Sequence, residues 1–406
     1  MDRRNFLLGC TAAGLVPGCA WARAFSRAPA RAVLLLPLTG ERAALGSLLH
    51  ATALAAADSV NRAGLGGRRA IELRVEDWRS DPRRFDALIR QLGSGEGRAA
   101  ALIGPCPSQS RAETAAWLVA NDAVLWDPMP HSGGICGDGI LSLGSTPYQS
   151  LSQSLGFMAA EVGRRFLLVP GDSGYGRELG EVARWAIGRM DAELLGVAGA
   201  HERRHWLARL RRERADVVVC TLEGAELADF LHAYAEARLD PRETPILAPT
   251  MTELDVALAG GAVAEGHVAC QPYFAAMATL GNDRFLAALR RRLAPGQVPT
   301  AQAEAMWGLL HLFARAVGAL DDLDPHPILV REAARGQDVL LPQGRVRLDP
   351  ATLHPYLWPK LAVVTADGGF KVIARSDRPV APLPFWGRAA CPATPEMVDA
   401  RLEWSE

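Results

Sequence analysis

From Ala32 to Ala248 the chain alternates short apolar runs with helix-length amphipathic stretches, and this alternation constrains the fold more than any other feature. Ala32–Leu36 is an apolar run that stops at Pro37. Leu45, Leu48, Leu49 and Ala53 then fall on one face of a helix over Leu45–Arg62. Gly64, Gly66 and Gly67 end it, and Ile71, Leu73 and Val75 alternate as a strand does. Further strands are predicted at Ala99–Ile103, Ala123–Trp126, Arg165–Val169, Val217–Thr221 and Pro245–Ala248. Helices are predicted between them at Phe85–Leu92, Arg111–Asn121, Gln149–Val162, Arg177–Arg189 and Ala225–Ala237. Strands alternating with helices of this length make an α/β chain with parallel sheets built from βαβ units. After His267–Cys270 the pattern changes to long helices at Asp283–Arg292 and Ala301–Leu320. Three strand-like segments follow, Arg345–Leu348, Leu361–Thr365 and Phe370–Ala374, and a proline-rich tail begins at Pro379.

Domains of about 100–200 residues make two lobes the expectation for 406 residues. In open parallel sheets, ligands sit beyond the carboxyl ends of the strands. The loops to watch are therefore Pro37–Ala44, Gly104–Ser110, Asp127–Gly134, Pro170–Gly176, Thr221–Gly224, Pro249–Glu253 and Gln271–Ala275. The first residues read differently. Arg3-Arg4 precede Asn5-Phe6-Leu7-Leu8 and a mildly apolar run through Val16, the pattern of a twin-arginine leader. Ala20-Trp21-Ala22 and Ala22-Arg23-Ala24 both suit a signal peptidase, which places the leader at residues 1–24; Cys19 offers a lipid-anchor site instead. No later apolar run reaches the roughly 18 residues of a membrane span, so a soluble or lipid-anchored mature chain is expected.

Forty-four basic residues balance 45 acidic ones. With no aromatic-interleaved basic patch, this gives no reason to expect nucleic acid. Of seven cysteines, none forms a C-x-x-C pair, and a Cys106–Cys136 disulfide is one option in an oxidising compartment. One catalytic-looking motif stands out, His201-Glu202-Arg203-Arg204-His205, which matches the H-E-x-x-H zinc pattern. That chemistry needs both histidines one turn apart on a helix face. Here His201 follows the strand-like Leu194–Val197 and a Gly-Ala loop, so it falls before or at a helix start, and two arginines beside it repel a dication. No enzyme activity, metal or cofactor is expected. At the strand ends, Gly104-Pro105-Cys106-Pro107-Ser108-Gln109-Ser110 leads into a helix, whose free N–H groups can hold an anionic oxygen beside Ser108 or Ser110. Those serines serve equally well as helix caps.

Leu36-Pro37-Leu38-Thr39-Gly40, Asn61-Arg62-Ala63-Gly64-Leu65-Gly66-Gly67, Glu76-Asp77 to Asp81-Pro82 and Ile103-Gly104 to Ser108 form a consistent series. It continues through Leu125–Pro130, Gly144-Ser145-Thr146-Pro147, Arg165–Asp172, Asp216–Thr221, Glu265-Gly266-His267, Pro272-Tyr273-Phe274, Ala303-Glu304-Ala305 and Pro342–Leu348. Together these resemble the type I periplasmic solute-binding proteins, the branched-chain amino acid, amide and urea binders, and most of all the amide/urea branch. The resemblance spans about Ala32 to Pro384. It implies two Rossmann-like lobes joined by three hinge crossovers, with lobe one as 32–145 plus 274–341 and lobe two as 146–273 plus 342–406. It also implies an ABC-transporter role with membrane permease subunits as partners, a periplasmic location, and an amide, urea or amino-acid-like ligand between the lobes. A ligand-sensing regulator acting on a partner protein is the alternative. The site residues carried over are Ser108, Ser110, Asp127, Met129, Ser173, Tyr175, Thr221, Glu223, Thr250 and Tyr273. Asp127 and Ser173 stand where the amide binders place aromatic residues, which makes this pocket more acidic. Asp127 and Glu223 are then acceptors for ligand N–H groups, although Asp127 also suits a turn before Pro128.

Overall fold

The computed structural model describes residues 26–384 apart from 96–97, 135–136, 200–202 and 321–322. The leader, Cys19, Cys136 and the first two residues of the H-E-x-x-H motif lie outside the described residues. Lobe one opens with β1 (Ala30–Leu36), α1 (Ala43–Ala63), β2 (Ile71–Asp77), α2 (Pro82–Leu92), β3 (Ala101–Ile103), α3 (Arg111–Ala120), β4 (Leu125–Asp127) and β5 (Ile140–Ser142). The strands form one parallel sheet in the order β2-β1-β3-β4-β5. Both faces are covered, and β1 shows how. Leu34 and Leu36 point into one core with Leu49, Val60 and Phe313, while Val33 and Leu35 point into the other with Phe85 and Leu118. That is why β1 is a continuous apolar run rather than an alternating one. α1 is long and apolar enough to cross a membrane by length and composition alone, but its apolar residues Leu49, Ala53, Ala56 and Val60 lie in the lobe-one core.

The chain then crosses into lobe two through residues 143–146. There it forms α4 (Pro147–Leu151), α5 (Ser154–Glu161), β6 (Arg165–Val169), α6 (Gly174–Ile187), β7 (Glu193–Val197), α7 (Arg203–Glu213), β8 (Val217–Cys220), α8 (Gly224–Glu236), β9 (Ile246–Ala248), α9 (Glu253–Ala259), α10 (Gly261–Ala264) and β10 (Val268–Gln271). The single helix expected over Gln149–Val162 is two helices. Ser154 Oγ donates to the carbonyls of Ser150 (2.9 Å) and Leu151 (3.3 Å), a local side-chain bond that competes with helix pairing at the join.

A second crossover returns the chain to lobe one as α11 (Leu280–Leu289), α12 (Ala301–Ala319), α13 (Pro327–Ala334), β11 (Asp338–Leu341), β12 (Gly344–Leu348) and β13 (Pro355–Tyr356). The last three make a small antiparallel sheet whose Val339, Leu341, Val346 and Leu348 pack into the lobe-one core. The sequence division at residue 342 falls at the β11–β12 turn, and sheet membership passes to lobe two between Tyr356 and Lys360. β14 (Lys360–Val364) and β15 (Phe370–Arg375) then complete a seven-stranded sheet, β15-β14-β10-β9-β8-β6-β7. Its β6–β10 portion is parallel; β14 pairs antiparallel with β10, and β15 antiparallel with β14.

Candidate functional site

The carboxyl ends of the two sheets bring three of the sequence-selected residues to the cleft. Ser108, in the loop from β3 to α3, is exposed on the lobe-one side. Across from it stands Gly174, first residue of α6 in lobe two: a Cβ placed on Gly174 would lie 3.0 Å from the Ser108 Cβ. Ser173 caps α6 by accepting from Gly176 N–H at 2.8 Å, and its hydroxyl donates to Glu223 Oε2. Glu223 stands just before α8. Its surface reaches solvent, yet protein surrounds it closely enough that desolvation raises its carboxyl pKa. The Ser173 bond and the charge of Arg42 pull the other way, while Asp255 and Glu226 add to the rise. Arg42 belongs to lobe one, at the start of α1, so Glu223 already feels a charge across the cleft.

The other selected residues are engaged by the protein itself. Asp127 ends β4, fully buried. Its Oδ2 is paired with the Arg111 guanidinium and its Oδ1 accepts from Met129 N–H at 2.9 Å. Burial raises its pKa against the opposing pull of Arg111. Its oxygens thus hold the loop turn and the start of α3. Met129 is half-buried behind it. Ser110 Oγ donates to Asp86 Oδ2 at 3.1 Å. Thr221 Oγ1 accepts from Gly171 N–H (2.9 Å) and donates to Gly176 O (2.6 Å), locking the β6–α6 loop onto β8. Thr250 Oγ1 donates to Leu222 O at 2.6 Å. Tyr273 is buried in the second crossover, with its hydroxyl donating to Asn282 Oδ1 at 2.9 Å and its ring edge-on to Phe285. Tyr175 is 3% exposed and shares a 3.0 Å bond with Ser150 Oγ, which in turn donates to Ser145 Oγ.

Sequence reasoning missed several titratable groups near these loops. Arg111, only 5% exposed, reads in sequence as an ordinary first helical residue, and nothing local signals its burial. The His131 and His354 rings lie 4.7 Å apart beside it with their planes inclined by 53°, both with pKa lowered chiefly by burial, His354 to about 4. Glu253, which opens α9, accepts from Ala275 N–H at 2.9 Å, and burial raises it to about 7. Among the described residues no group of three or more His, Cys, Asp or Glu is placed to hold a metal. Cys106, Cys220 and Cys270 are free and buried, with burial raising each thiol.

Residues 31–390 match a family described as periplasmic binding protein domain. Among solved structures, an ABC-transporter solute-binding protein from R. palustris in complex with 4-hydroxybenzoate superposes with a TM-score of 0.76. It is 16% identical, and the match covers 88% of this chain and 99% of that one. An ABC transporter substrate-binding protein from Sphaerobacter thermophilus gives 0.74 at 21% identity over 88% and 100%. A branched-chain amino acid transporter substrate-binding protein from Streptococcus pneumoniae, in complex with isoleucine, gives 0.70 at 17% over 86% and 99%. At these identities the likeness is one of fold. These family and fold neighbours are substrate-binding proteins, not enzymes.

Proposed function

Because the chain belongs to the periplasmic binding protein family, we propose that it is the solute-binding component of an ABC transporter, holding a small amide, urea or amino-acid-like solute between its lobes. The observation that carries this reading is the approach of Ser108 to Gly174 across the carboxyl ends of the two sheets, the place where open parallel sheets take ligands. A solute bound there touches both lobes only when they are closed, so binding energy draws the lobes together.

The cleft-facing groups narrow the class. Ser108 and Ser173 supply hydroxyls, and Glu223 supplies a carboxylate that accepts N–H donors. A ligand with an amine or amide nitrogen meets Glu223 better than benzoate does. The neighbours crystallised with 4-hydroxybenzoate and isoleucine show that this fold hosts both aromatic acids and amino acids. The Arg3-Arg4 leader supports export to the periplasm, where the mature protein would meet the permease subunits of its transporter. A thermal-shift screen over aliphatic amino acids, acetamide, urea and benzoate tests the assignment. We expect a nitrogen-bearing solute to raise the melting temperature by mass action and benzoate to leave it unchanged. A rise with benzoate alone would remove the amide, urea and amino-acid class.

A further inference from the structure

We infer that residues 376–384 form a fourth strap across the hinge, fastened at Gln149, which limits how far the two lobes can separate. β15 ends in lobe two at Arg375, and the chain beyond it runs back over the hinge to lobe one. At the lobe-two end, Ser376 N–H donates to Pro359 O at 2.9 Å, and Ser376 Oγ accepts from Gln153 Nε2 at 2.9 Å. Midway, Val380 and Leu357 exchange both backbone bonds, at 2.7 and 3.2 Å, and Leu357 is part of the lobe-one core. Thr146, in the first crossover, donates its hydroxyl to Pro382 O. At the lobe-one end, Gly134 N–H donates to Pro384 O at 2.7 Å. Gly133 beside it has φ +67°, and a Cβ there would lie 2.1 Å from the same carbonyl, so this loop receives the strap only with glycine.

Gln149 gathers these parts. It is 1% exposed. Its Oε1 accepts from Thr146 N–H at 3.0 Å; its Nε2 donates to Pro355 O at 2.8 Å and to Val380 O at 3.0 Å. One amide therefore joins the first crossover, the approach to the third, and the strap. Lobe opening in such folds is absorbed by φ/ψ changes at a few hinge residues. A strap fixed at both ends opposes the part of that motion that draws Gly134 away from Ser376. Pro379, Pro382 and Pro384 fix φ along it and reduce its slack. The inference rests on the two-lobed receptor reading only for its consequence, slower solute exchange, and its test requires no solute.

The test is small-angle X-ray scattering of the ligand-free chain, with calorimetry alongside. Four forms are compared with the full chain: Gln149→Met, Thr146→Val combined with Gln149→Met, a deletion of 385–406 that keeps the strap, and a deletion of 379–406 that removes it. The expected result is an increased radius of gyration and a longer tail in the pair-distance distribution for both point-substituted forms and for the 379–406 deletion. The 385–406 deletion should match the full chain. Unchanged dimensions in the strap variants would overturn the inference, as would lower melting temperatures with no expansion. Expansion already present in the 385–406 deletion would move the constraint out of the strap and overturn it as well. If the longer deletion does not fold, the two point-substituted forms decide.

Discussion

The Asp127 carboxylate at the end of β4 is buried against the Arg111 guanidinium. In sequence it sits where a ligand acceptor would stand, yet its oxygens are taken by Arg111 and Met129 N–H within the protein. Removing it would leave the Arg111 charge buried without a partner, a loss that costs about 3–5 kcal/mol. Asp127→Ala should therefore lower unfolding stability by that amount in a denaturant titration; a variant as stable as the parent would show that the pair contributes little. Thr221, Thr250, Ser110 and Tyr273 follow the same logic, each closing a turn or joining two elements. Polar residues cluster at strand ends because loop backbone needs partners, so ligand contacts and loop fasteners look alike in sequence. On the proposed reading, Ser108 and Glu223 are set apart by the cleft they face, with Ser173 fastening α6 and holding Glu223. His267 offers a pH test. It is buried, accepts from Ile246 N–H at 3.1 Å through Nδ1, and burial lowers its pKa to about 3. The unfolded chain binds this proton below about pH 6.5 and the folded chain does not, so stability is full above that pH and falls on acidification toward 3. The slope reaches about 1.4 kcal/mol per pH unit for one such group. His267→Asn, which retains an acceptor, should flatten the decline between pH 6.5 and 4. An unaltered slope would assign the acid sensitivity to other groups.

Strands were the elements most legible in sequence. β6 spans the segment that its apolar run indicates, and β1, β8, β14 and β15 differ by a residue or two at their ends. Both faces of these sheets are covered, which produces uninterrupted apolar runs. Less legible were β5, β11, α9, α10 and α13, all too short for an apolar period to repeat within them. α7 is described from Arg203 onward, and His201 and Glu202 of the H-E-x-x-H motif lie outside the described residues. The joins between elements depend on close backbone contacts that composition cannot reveal. Gly144, in the first crossover, has so little room that a Cβ would fall 1.7 Å from Met129 O. Gly144→Ala must push the β4–β5 loop away from the hinge. Overpacking of this kind costs about 1–3 kcal/mol or more. We expect a correspondingly lower unfolding midpoint, and an unchanged midpoint would mean that the loop yields freely.

At the scale of the whole molecule, the lobes meet at Gly174 and Ser108, so a side chain at position 174 acts as a wedge. Gly174→Leu should weaken solute affinity by tenfold or more, about 1.4 kcal/mol, while leaving the ligand-free melting temperature near that of the parent. Equal affinity in a titration would show that closure does not bring these two surfaces together. The division of lobe one along the chain has a different consequence, felt during synthesis. β1 to β5 emerge first, but the face of their core supplied by Met306, Leu310 and Phe313 of α12, and by Val346 and Leu348 of β12, is made only after all the parallel strands of lobe two. Contacts this distant in sequence form slowly, and the apolar strands waiting for them are prone to aggregate. A nascent chain thus carries an unfinished lobe one until α12 and β12 have been made, whereas the β6–β10 portion of lobe two is contiguous.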